Sequence, residues 1–395
     1  MWNRNLNLLV AVLILTSSAS SLVAQTPSTT VRVATMNVSL NRPSAGQLVK
    51  DLAAHDAQAM RIASILRQLR PDIVLLNEFD FDAQHTALQL FQERFLRAVS
   101  PTFASEPLIY EHAFTAPVNT GVPSGMDLNG DGNQNDPADA FGYGLFPGQY
   151  GMVVLSRFPI DYESVRTFQN LLWHTMPNAA RPVDPKSGQP WYDDTTWIQL
   201  RLSSKSHWDV PVTIGPHTLH LLASHPTPPA FDGPEDRNGK RNHDEIRLWA
   251  DYVSPERSDW IVDDAGQTGG LGDDAAFVIL GDLNADPADG DSHDHAIRQL
   301  LTHRRINAAV VPGSFGATEA AAAQKGANDS HVGRPVCDTA DFPDGSVGNL
   351  RVDYVLPSLN LTITGAGVAW PRVGEPGSEH FQSSDHHPVW IDIAL

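Results

Sequence analysis

Residues 275–287, AAFVILGDLNADP, combine an apolar run with a polar segment that follows it directly. The apolar run Ala275–Leu280 predicts a strand, and Pro287 predicts a turn that closes the segment. Asp282 and Asn284 therefore follow the carboxyl end of a strand, where open α/β sheets bind ligands. A carboxylate can accept a proton or hold a cation there, and an amide can donate to an anionic oxygen. Asp and Asn also begin ordinary turns, so the other segments must decide.

Length and composition indicate a globular chain with a large core. It has 395 residues, of which 41% are hydrophobic and 18% charged, and its formal net charge is −19. Such an acidic chain is not expected to coat nucleic acid or a membrane surface, although a local basic groove or bound cations would still permit a nuclease. Cys337 is the only cysteine, which excludes an internal disulfide.

The first residues have the pattern of an export signal. Arg4 supplies the positive charge, Leu8–Leu15 is a short apolar run, and Ser17–Ala24 is small and polar enough for cleavage. Residues 1–24 are interpreted as a signal peptide, and we expect a secreted or periplasmic protein. No later segment reaches transmembrane length, so we expect no membrane insertion. We also expect a monomer.

Apolar periodicity predicts strands and helices that alternate along the chain. The predicted strands besides the one already quoted are Thr30–Val38, Asp72–Glu78, Gln149–Arg157, Thr195–Leu202, Pro211–Ile214, Thr218–Ser224, Arg351–Leu356 and Val389–Ile393. The predicted helices are Arg61–Leu69, Thr86–Val99, His243–Val253, a segment around His295–Leu301, and Ala317–Gln324. Because no repeat of fixed period and no linker interrupts them, we expect one α/β domain with mixed sheets over residues 30–395.

Residues 119–143 are interpreted as an insertion, because they are rich in Gly, Asn and Asp and lack apolar periodicity. Gly132 occupies the sixth position of a pattern that matches the first half of a calcium loop. The oxygen-bearing side chains at its alternate positions are Asp127, Asn129, Asp131 and Asn133. The twelfth position is Ala138 where a bidentate Glu is expected, so Asp136 or Asp139 would have to complete a Ca²⁺ cage. A calcium loop and a plain surface loop both remain open.

Polar side chains recur at the ends of the predicted strands. They are Asn37, Glu78, His225, Asp282, Asn284, Asp353, Asp385 and His386. The segments that carry or adjoin them are ATMNV (34–38), PDIVLLNEFD (71–80), QYGMVVLSR (149–157), LLASHPTPP (221–229), ILGDLNADP (279–287), RVDYVLPS (351–358) and SSDHHPVWI (383–391). In this order they resemble the endonuclease/exonuclease/phosphatase superfamily, which includes DNase I-like nucleases, abasic-site endonucleases, neutral sphingomyelinases and inositol-polyphosphate 5-phosphatases. The resemblance covers nearly all of residues 31–395.

The resemblance implies a four-layer α/β sandwich, with two mixed β-sheets flanked by helices and the site at one edge. It also implies that Asn37 and Glu78 position a divalent cation, Mg²⁺ with Mn²⁺ as a substitute, and that Asp385 joins them directly or through water. The residue types fit this expectation independently, because Mg²⁺ prefers hard oxygen ligands and needs only one or two carboxylates.

Catalytic roles follow from the same resemblance. Asp282 would orient or deprotonate the attacking water, and Asn284 would hold a phosphate oxygen. Asp353 would hydrogen-bond to His386 and orient its imidazole, while His386 and His225 would contact the scissile phosphate. Hydrolysis of a phosphoester requires such a positioned water, a base and positive charge around the phosphoryl oxygens. Whether Asp282 or His386 is the base stays open at this point.

We therefore expect an exported, divalent-metal-dependent phosphoester hydrolase, a phosphodiesterase or a phosphatase. A secreted DNase I-like nuclease is the first alternative, and nucleic acid is disfavoured as a substrate because clustered Lys and Arg are lacking. A non-catalytic, calcium-dependent binding module is an alternative of another class. The presence of both Asp282 and His386 argues against such a module.

Overall fold

Two large β-sheets form the centre of the molecule. A computed structural model describes residues 29–99 and 105–395, so the predicted signal peptide lies outside the described residues. The strands are, in chain order, Thr30–Leu40 (β1), Ile73–Phe79 (β2), His112–Phe114 (β3), Met152–Ser156 (β4), Arg166–Thr167 (β5), His207–Ile214 (β6), His217–Ser224 (β7), Ala276–Asp282 (β8), Ala340–Asp341 (β9), Asn349–Leu350 (β10), Asp353–Pro357 (β11), Thr362–Val368 (β12) and Val389–Ala394 (β13). The α-helices are Gln47–Ala53 (α1), Ala57–Leu69 (α2), Thr86–Phe91 (α3), Asp194–Trp197 (α4), Arg237–Tyr252 (α5), Arg298–Leu301 (α6) and Phe315–Gln324 (α7).

Both large sheets are mixed. The first has six strands in the order β12-β13-β1-β2-β4-β3, and the second has five in the order β11-β8-β7-β6-β5. β1 runs parallel to β2, and β7 runs parallel to β8, whereas the other neighbours in these sheets are antiparallel. β9 and β10 form a separate two-stranded ribbon. The predicted fold class, two mixed sheets with helices, is confirmed.

Side-chain alternation along the strands explains how the layers form. In β2, Ile73 and Leu75 point into the core between the two sheets, whereas Val74 and Leu76 point into the core beneath α1, α2 and α3. β8 divides its side chains in the same way, between the inter-sheet core and the core beneath α5. Because both faces of these strands are covered, the sequence of each strand is a continuous apolar run. The order of layers is therefore helix, sheet, sheet, helix.

The prediction of a strand at Thr195–Leu202 was wrong. The side chain of Asp193 accepts a hydrogen bond from the backbone N–H of Thr196 at 2.7 Å and caps the short helix α4 instead. Beyond it, Leu200 and Leu202 fill the core beneath α5 from an irregular segment. The apolar alternation therefore indicates that these side chains are buried, but it does not indicate that the segment pairs as a strand.

The predicted helix Thr86–Val99 is shorter than expected. The α-helix ends at Phe91, and Gln92–Leu96 continues it as a π-helical turn. Leu88 and Phe95 still pack into the core beneath the six-stranded sheet, so the apolar spacing identified the buried face correctly. None of the helices in the described part of the chain combines the length and apolarity that a bilayer crossing needs.

The strand ends that carry the predicted polar residues share one edge of the molecule. The parallel pairs β1–β2 and β7–β8 bring four carboxyl ends to this edge. β11 runs antiparallel to β8 and begins where β8 ends, with Asp353 directly opposite Asp282. The segment that precedes β13 reaches the same edge and supplies His386, which lies beside both carboxylates.

Candidate active site

Asp282 is the centre of the polar cluster. Its Oδ2 accepts a hydrogen bond from Nδ2 of Asn37 at 3.1 Å, and it lies 3.3 Å from Nε2 of His225 and 3.6 Å from Nε2 of His386. All four side chains are buried. Burial alone would raise the pKa of Asp282, but the two imidazoles and the hydrogen bonds from His225 and Asn37 lower it below its ordinary value. Asp282 is therefore an ionised carboxylate surrounded by donors.

The backbone around Asp282 is fixed by close packing. Gly281 has φ +146°, and a Cβ placed on it would lie 2.0 Å from the carbonyl oxygen of Ser224, so β7 and β8 can approach only because this residue is glycine. The N–H of Asp282 donates to Oδ1 of Asn77 at 3.1 Å. These contacts hold the carboxylate at the strand end.

Asn284 connects Asp282 to the loop that carries His225. It has φ +52°, a left-handed conformation that Asn tolerates better than most residues. Its N–H donates to Oδ1 of Asp282 at 3.0 Å, and its Nδ2 donates to the carbonyl of Pro226 at 3.1 Å. The amide is thus oriented beside the carboxylate, and one of its two N–H groups is used by the protein.

His386 lies between two carboxylates. Its Nδ1 is 2.8 Å from Oδ2 of Asp353, which also accepts a hydrogen bond from the hydroxyl of Thr339 at 2.8 Å. Burial alone would lower the pKa of His386, but Asp353 and Asp282 raise it well above its ordinary value. Burial raises the pKa of Asp353 to about 6, against the lowering effect of His386. Since a carboxylate only accepts, the proton between these two groups lies on Nδ1 of His386 when Asp353 is ionised.

Glu78 reaches the cluster through Asn37. Its Oε1 accepts a hydrogen bond from Nδ2 of Asn37 at 3.0 Å, and its Oε2 accepts one from Nδ2 of Asn41 at 2.7 Å. Glu78 has φ +60°, an uncommon conformation for a residue of this size, and strain of this kind concentrates at functional sites. The structure therefore joins Asn37, Glu78 and Asp282 through one amide.

Asp385 lies apart from the other predicted metal ligands. Its side chain is exposed, and Oδ1 accepts a hydrogen bond from the hydroxyl of Ser39 at 3.3 Å. Ser39 in turn donates its N–H to Oδ1 of Asn37 at 3.1 Å. Among the described contacts, the side chain of Asp385 has none with Asn37 or Glu78, and Ser39 bridges it to Asn37.

The donor set of this edge suits a hard divalent cation. Within the described residues, Asp282, Asp353 and His386 form a group whose ligand atoms all lie within 4.8 Å of one another. Nδ1 of His386 is already engaged by Asp353, so we interpret these three as a hydrogen-bonded chain and not as a cage. Glu78, by contrast, receives only amide donors and has no cationic partner among the described ion pairs. A carboxylate with amide and carboxylate oxygens nearby is the kind of set that Mg²⁺ uses.

Sequence reasoning missed two buried residues beside the cluster, Lys205 and Glu245. Nζ of Lys205 donates to the carbonyl of Pro226 at 3.4 Å, and the ammonium is close enough to Glu245, Glu78 and Asp282 to interact with their charges. Burial lowers the pKa of Lys205. No carboxylate of the described chain is paired with it within ion-pair distance. Its position just before the hairpin that ends at His225 was the one available signal.

Glu245, on α5, holds together the two segments that flank His225. Its carboxylate accepts the N–H of Ser204 at 2.6 Å, the hydroxyl of Ser204 at 3.0 Å and the N–H of Thr227 at 2.8 Å. Burial raises its pKa, opposed by Arg241 and these hydrogen bonds. Glu245 thereby fixes the loop after β7 against the segment that precedes β6.

Two neighbours of the cluster have structural roles. Asp286 accepts the N–H groups of Ala288, Asp289 and Arg351 and so stabilises the turn after Asn284. The imidazole of His387 is buried and stacks on Trp370 with ring centroids 3.7 Å apart. Burial lowers its pKa to about 3, so it is neutral. The predicted calcium-loop residues belong to the insertion and make none of the contacts described for Asp282.

Comparison with known proteins identifies the family of this chain. Residues 34–386 match the model of the Endonuclease/Exonuclease/phosphatase family. A search among curated proteins finds no match. An endonuclease/exonuclease/phosphatase from Beutenbergia cavernae is 18% identical, with a TM-score of 0.50 over 93% of this chain and 72% of that one, a likeness that shows the fold.

Two further solved structures are similar at lower scores. A family protein from Leptotrichia buccalis is 12% identical, with a TM-score of 0.47 over 92% of this chain and 100% of that one. A variant of the Staphylococcus aureus beta toxin with bound magnesium ions is 11% identical, with a TM-score of 0.45 over 92% and 99% of the two chains. On the match of its own sequence over residues 34–386, the chain belongs to the Endonuclease/Exonuclease/phosphatase family.

Proposed function

We propose that this protein is a divalent-metal-dependent phosphoester hydrolase in which a water molecule attacks phosphorus in line with the leaving oxygen. One observation supports this above the others: a single oxygen of Asp282 lies within 3.6 Å of donor nitrogens from Asn37, His225 and His386. Such a site can hold an anionic substrate beside an ionised carboxylate, which phosphoester hydrolysis requires.

Asp282 is the group that orients the water and accepts its proton. An ionised carboxylate only accepts hydrogen bonds, so Nε2 of His225, 3.3 Å from Asp282, carries hydrogen. The neighbouring carboxylates raise the pKa of His386 and keep its imidazole protonated, so neither histidine can serve as the base in this arrangement. The water oxygen forms a bond to phosphorus, and one proton of the water passes to a free lone pair of Asp282. The ester P–O bond breaks with its electron pair on the leaving oxygen, which departs and takes up a proton from solvent. These contacts support Asp282 as the base, a choice that the sequence left open between Asp282 and His386.

Positive and amide groups around Asp282 would hold the phosphoryl oxygens. Asn284 has one N–H that is not used by Pro226, and Lys205 presents an ammonium without a carboxylate partner among the described residues. His386 and His225 can donate from Nε2 once substrate displaces their contact with Asp282. Preorganised donors of this kind stabilise the charge that develops on the phosphoryl group.

Glu78 and Asn37 are the residues that would hold the cation, with Mg²⁺ as the first choice and Mn²⁺ as a substitute. When bound, the cation would neutralise charge on the phosphoryl oxygens as the leaving group departs. The fit rests on Glu78, whose carboxylate is contacted by two amides and by no described cationic group. Asp385 would contribute through water, because its side chain has no direct contact with Asn37 or Glu78 among the described residues.

Export from the cell, a single catalytic domain over residues 30–395 and a monomeric state complete the proposal. The pattern of Arg4 and Leu8–Leu15 supports export. Expression with and without residues 1–24 tests it: only the full chain should reach the medium or periplasm, and equal distribution of the two forms would reject it. A monomer should elute at about the mass of one chain in size-exclusion chromatography with light scattering.

Hydrolysis of bis-p-nitrophenyl phosphate and p-nitrophenyl phosphate by the purified protein tests the function. We expect activity with Mg²⁺ or Mn²⁺ that EDTA abolishes and added metal restores. A parallel panel of DNA, RNA, sphingomyelin and inositol phosphates separates a phosphodiesterase or phosphatase from a nuclease. Activity unaffected by EDTA would reject the metal dependence, and no hydrolysis of any substrate would reject the enzyme.

A further inference from the structure

The loop that carries His225 has few hydrogen-bond donors of its own. Residues 226–229 are Pro-Thr-Pro-Pro, and a proline has no N–H group. Thr227 is therefore the one residue of these four that can use both of its backbone groups. Its N–H donates to Oε2 of Glu245 at 2.8 Å, and its carbonyl accepts from Nδ2 of Asn242 at 2.8 Å. Two side chains of α5 thus hold the loop.

Asn242 also reaches the loop that follows Asp282. Its Nδ2 donates a second hydrogen bond, at 3.0 Å, to the carbonyl of Leu283, the residue directly after Asp282. One amide therefore joins the loop after β7 to the loop after β8. Nε2 of His225 and Oδ2 of Asp282 lie 3.3 Å apart beside these two attachments.

The side chains of α5 that make such contacts lie on one face of the helix. Asn242, Glu245 and Trp249 are separated by three and four positions, the spacing of neighbours on a helical surface. Nε1 of Trp249 donates to the hydroxyl of Ser224, the residue before His225, at 2.9 Å. All three side chains of α5 are fully buried. This face of α5 therefore contacts the chain on both sides of His225.

The position of Asn242 leaves one of its own atoms unsatisfied. Its Oδ1 is buried and has no hydrogen-bond partner among the described residues. Turning the amide over would place that oxygen against two carbonyl oxygens, so the orientation is fixed. An unpaired buried acceptor destabilises the fold. Folded proteins accept such violations chiefly at functional sites.

We propose that Asn242 and Glu245 are positioning residues that set the approach of His225 to Asp282. The proposal rests on the proposed function, in which His225 donates to the phosphoryl group and Asp282 accepts the proton of the water. Neither residue of α5 contacts the reacting atoms, and both act through the backbone of the two loops. Because a displacement of about 1 Å can reduce the rate about 10²-fold, loops with few backbone hydrogen bonds require such support.

Asp244 provides a matched control on the same helix. It is as buried as Asn242, but its Oδ2 accepts from Nε1 of Trp173 and from the N–H of Ala180, both at 2.7 Å. Among the described contacts it has none with residues 224–227 or 282–284. Asp244→Ala should therefore lower Tm, as Asn242→Ala does, while both catalytic loops stay in place.

Hydrogen exchange of the full protein, followed by mass spectrometry, tests the contacts without any substrate. In Asn242→Ala, peptides that cover residues 223–231 and 282–286 should exchange about tenfold faster than in the wild type, the effect of a lost hydrogen bond. In Asp244→Ala the faster exchange should be confined to peptides around residues 173–180. Unchanged exchange of both loops in Asn242→Ala would overturn the proposal.

Kinetics with bis-p-nitrophenyl phosphate and calorimetry with inorganic phosphate test the consequence for the site. Asn242→Ala should lower kcat about 10²-fold and raise the Kd of phosphate about tenfold, whereas Asp244→Ala should change neither. Glu245→Gln should keep part of the activity, because its remaining carbonyl oxygen can still accept a hydrogen bond. The Kd of phosphate does not depend on the fraction of folded enzyme, so a merely structural role would leave it unchanged.

Two results would separate this proposal from the proposed function. Wild-type kcat and phosphate Kd in Asn242→Ala, or equal losses in Asp244→Ala, would overturn the positioning role while the hydrolase stands. Absence of hydrolysis by the wild type would reject the proposed function and with it the catalytic role of Asn242. The exchange rates would still show whether α5 holds the two loops.

Discussion

Asp353 stands directly opposite Asp282 in the antiparallel pairing of β11 with β8. Residues that face each other across a ladder project their side chains to the same side of the sheet. Both carboxylates therefore leave the sheet together, and His386 fills the space between them, 2.8 Å from Asp353 and 3.6 Å from Asp282. Strand register, and not a local motif, creates this arrangement.

Asp353→Asn should lower kcat for bis-p-nitrophenyl phosphate by about 10²–10⁴-fold, the range typical of a lost acid–base or orienting group. The substitution removes the negative charge that raises the pKa of His386, so the imidazole loses the positive charge and the Nδ1–H bond that orient it beside the phosphoryl group. Thr339→Val, which removes the second donor to Asp353, is the milder comparison and should cost less. If Asp353→Asn keeps full activity at an unchanged Tm, His386 does not depend on Asp353.

Lys205→Met should weaken inhibition by inorganic phosphate about 10–100-fold, because a hydrogen bond to a charged group contributes about 1.5–3 kcal/mol. Removal of a buried ammonium with one weak 3.4 Å contact should leave Tm unchanged or raise it. Lys205→Arg should retain part of the phosphate affinity. Equal inhibition constants for Lys205→Met and wild type would show that the ammonium does not meet the phosphate.

Gly281→Ala should destabilise the fold by about 2–4 kcal/mol, since the new Cβ collides with the backbone of β7 at a positive φ. Gly272→Ala is the matched control, because a Cβ there meets nothing within 4 Å and its φ is not in the left-handed region. Urea unfolding of both variants measures the difference. Similar midpoints would mean that β7 and β8 separate without penalty.

The stability of the protein should fall with acid partly through His207. This buried imidazole donates from Nε2 to the carbonyl of Glu245 and accepts at Nδ1 from the hydroxyl of Ser203, and burial lowers its pKa from 6.5 to about 3. Below pH 6.5 the unfolded chain therefore binds a proton that the folded chain does not, and stability declines as the pH falls toward 3.

Between pH 8 and pH 5, His207 should lower the free energy of unfolding by about 2 kcal/mol. His207→Gln does not titrate, so its free energy of unfolding should change less between these pH values than that of the wild type. Denaturant titrations at both pH values measure the difference. Parallel pH dependences for the two proteins would exclude His207 as the acid-sensitive group.

The sequence predicted the parts of this molecule that are encoded locally. Buried strands such as β2 and β8 are continuous apolar runs, and the polar residues at their ends, Glu78 and Asp282, were predicted from their strand-end positions together with the family resemblance. Residues that act through distant contacts could not. Glu245 meets Ser204 across 41 positions, and nothing in either neighbourhood marks that contact.

Apolar alternation also gave a wrong prediction where side chains are buried without the backbone pairing as a strand. At Thr195–Leu202 the alternating residues pack into the core from an irregular segment, because Asp193 starts a helical turn there. Asp385 shows a similar limit, since its place next to His386 in sequence does not bring it to Glu78 in space. In both segments the path of the backbone decides where the side chains lie, and the spacing of residues in the sequence does not encode that path.

Asp282 is the residue that we propose activates water for metal-dependent phosphoester hydrolysis. The most direct test compares kcat of wild type, Asp282→Asn and Asp286→Asn with bis-p-nitrophenyl phosphate and Mg²⁺. Asp286 is a matched control, because it is buried in the same turn but its carboxylate is occupied by backbone N–H groups. We predict a loss of at least about 10²-fold for Asp282→Asn and near-wild-type kcat for Asp286→Asn. Full activity in a folded Asp282→Asn would show that Asp282 does not activate the water.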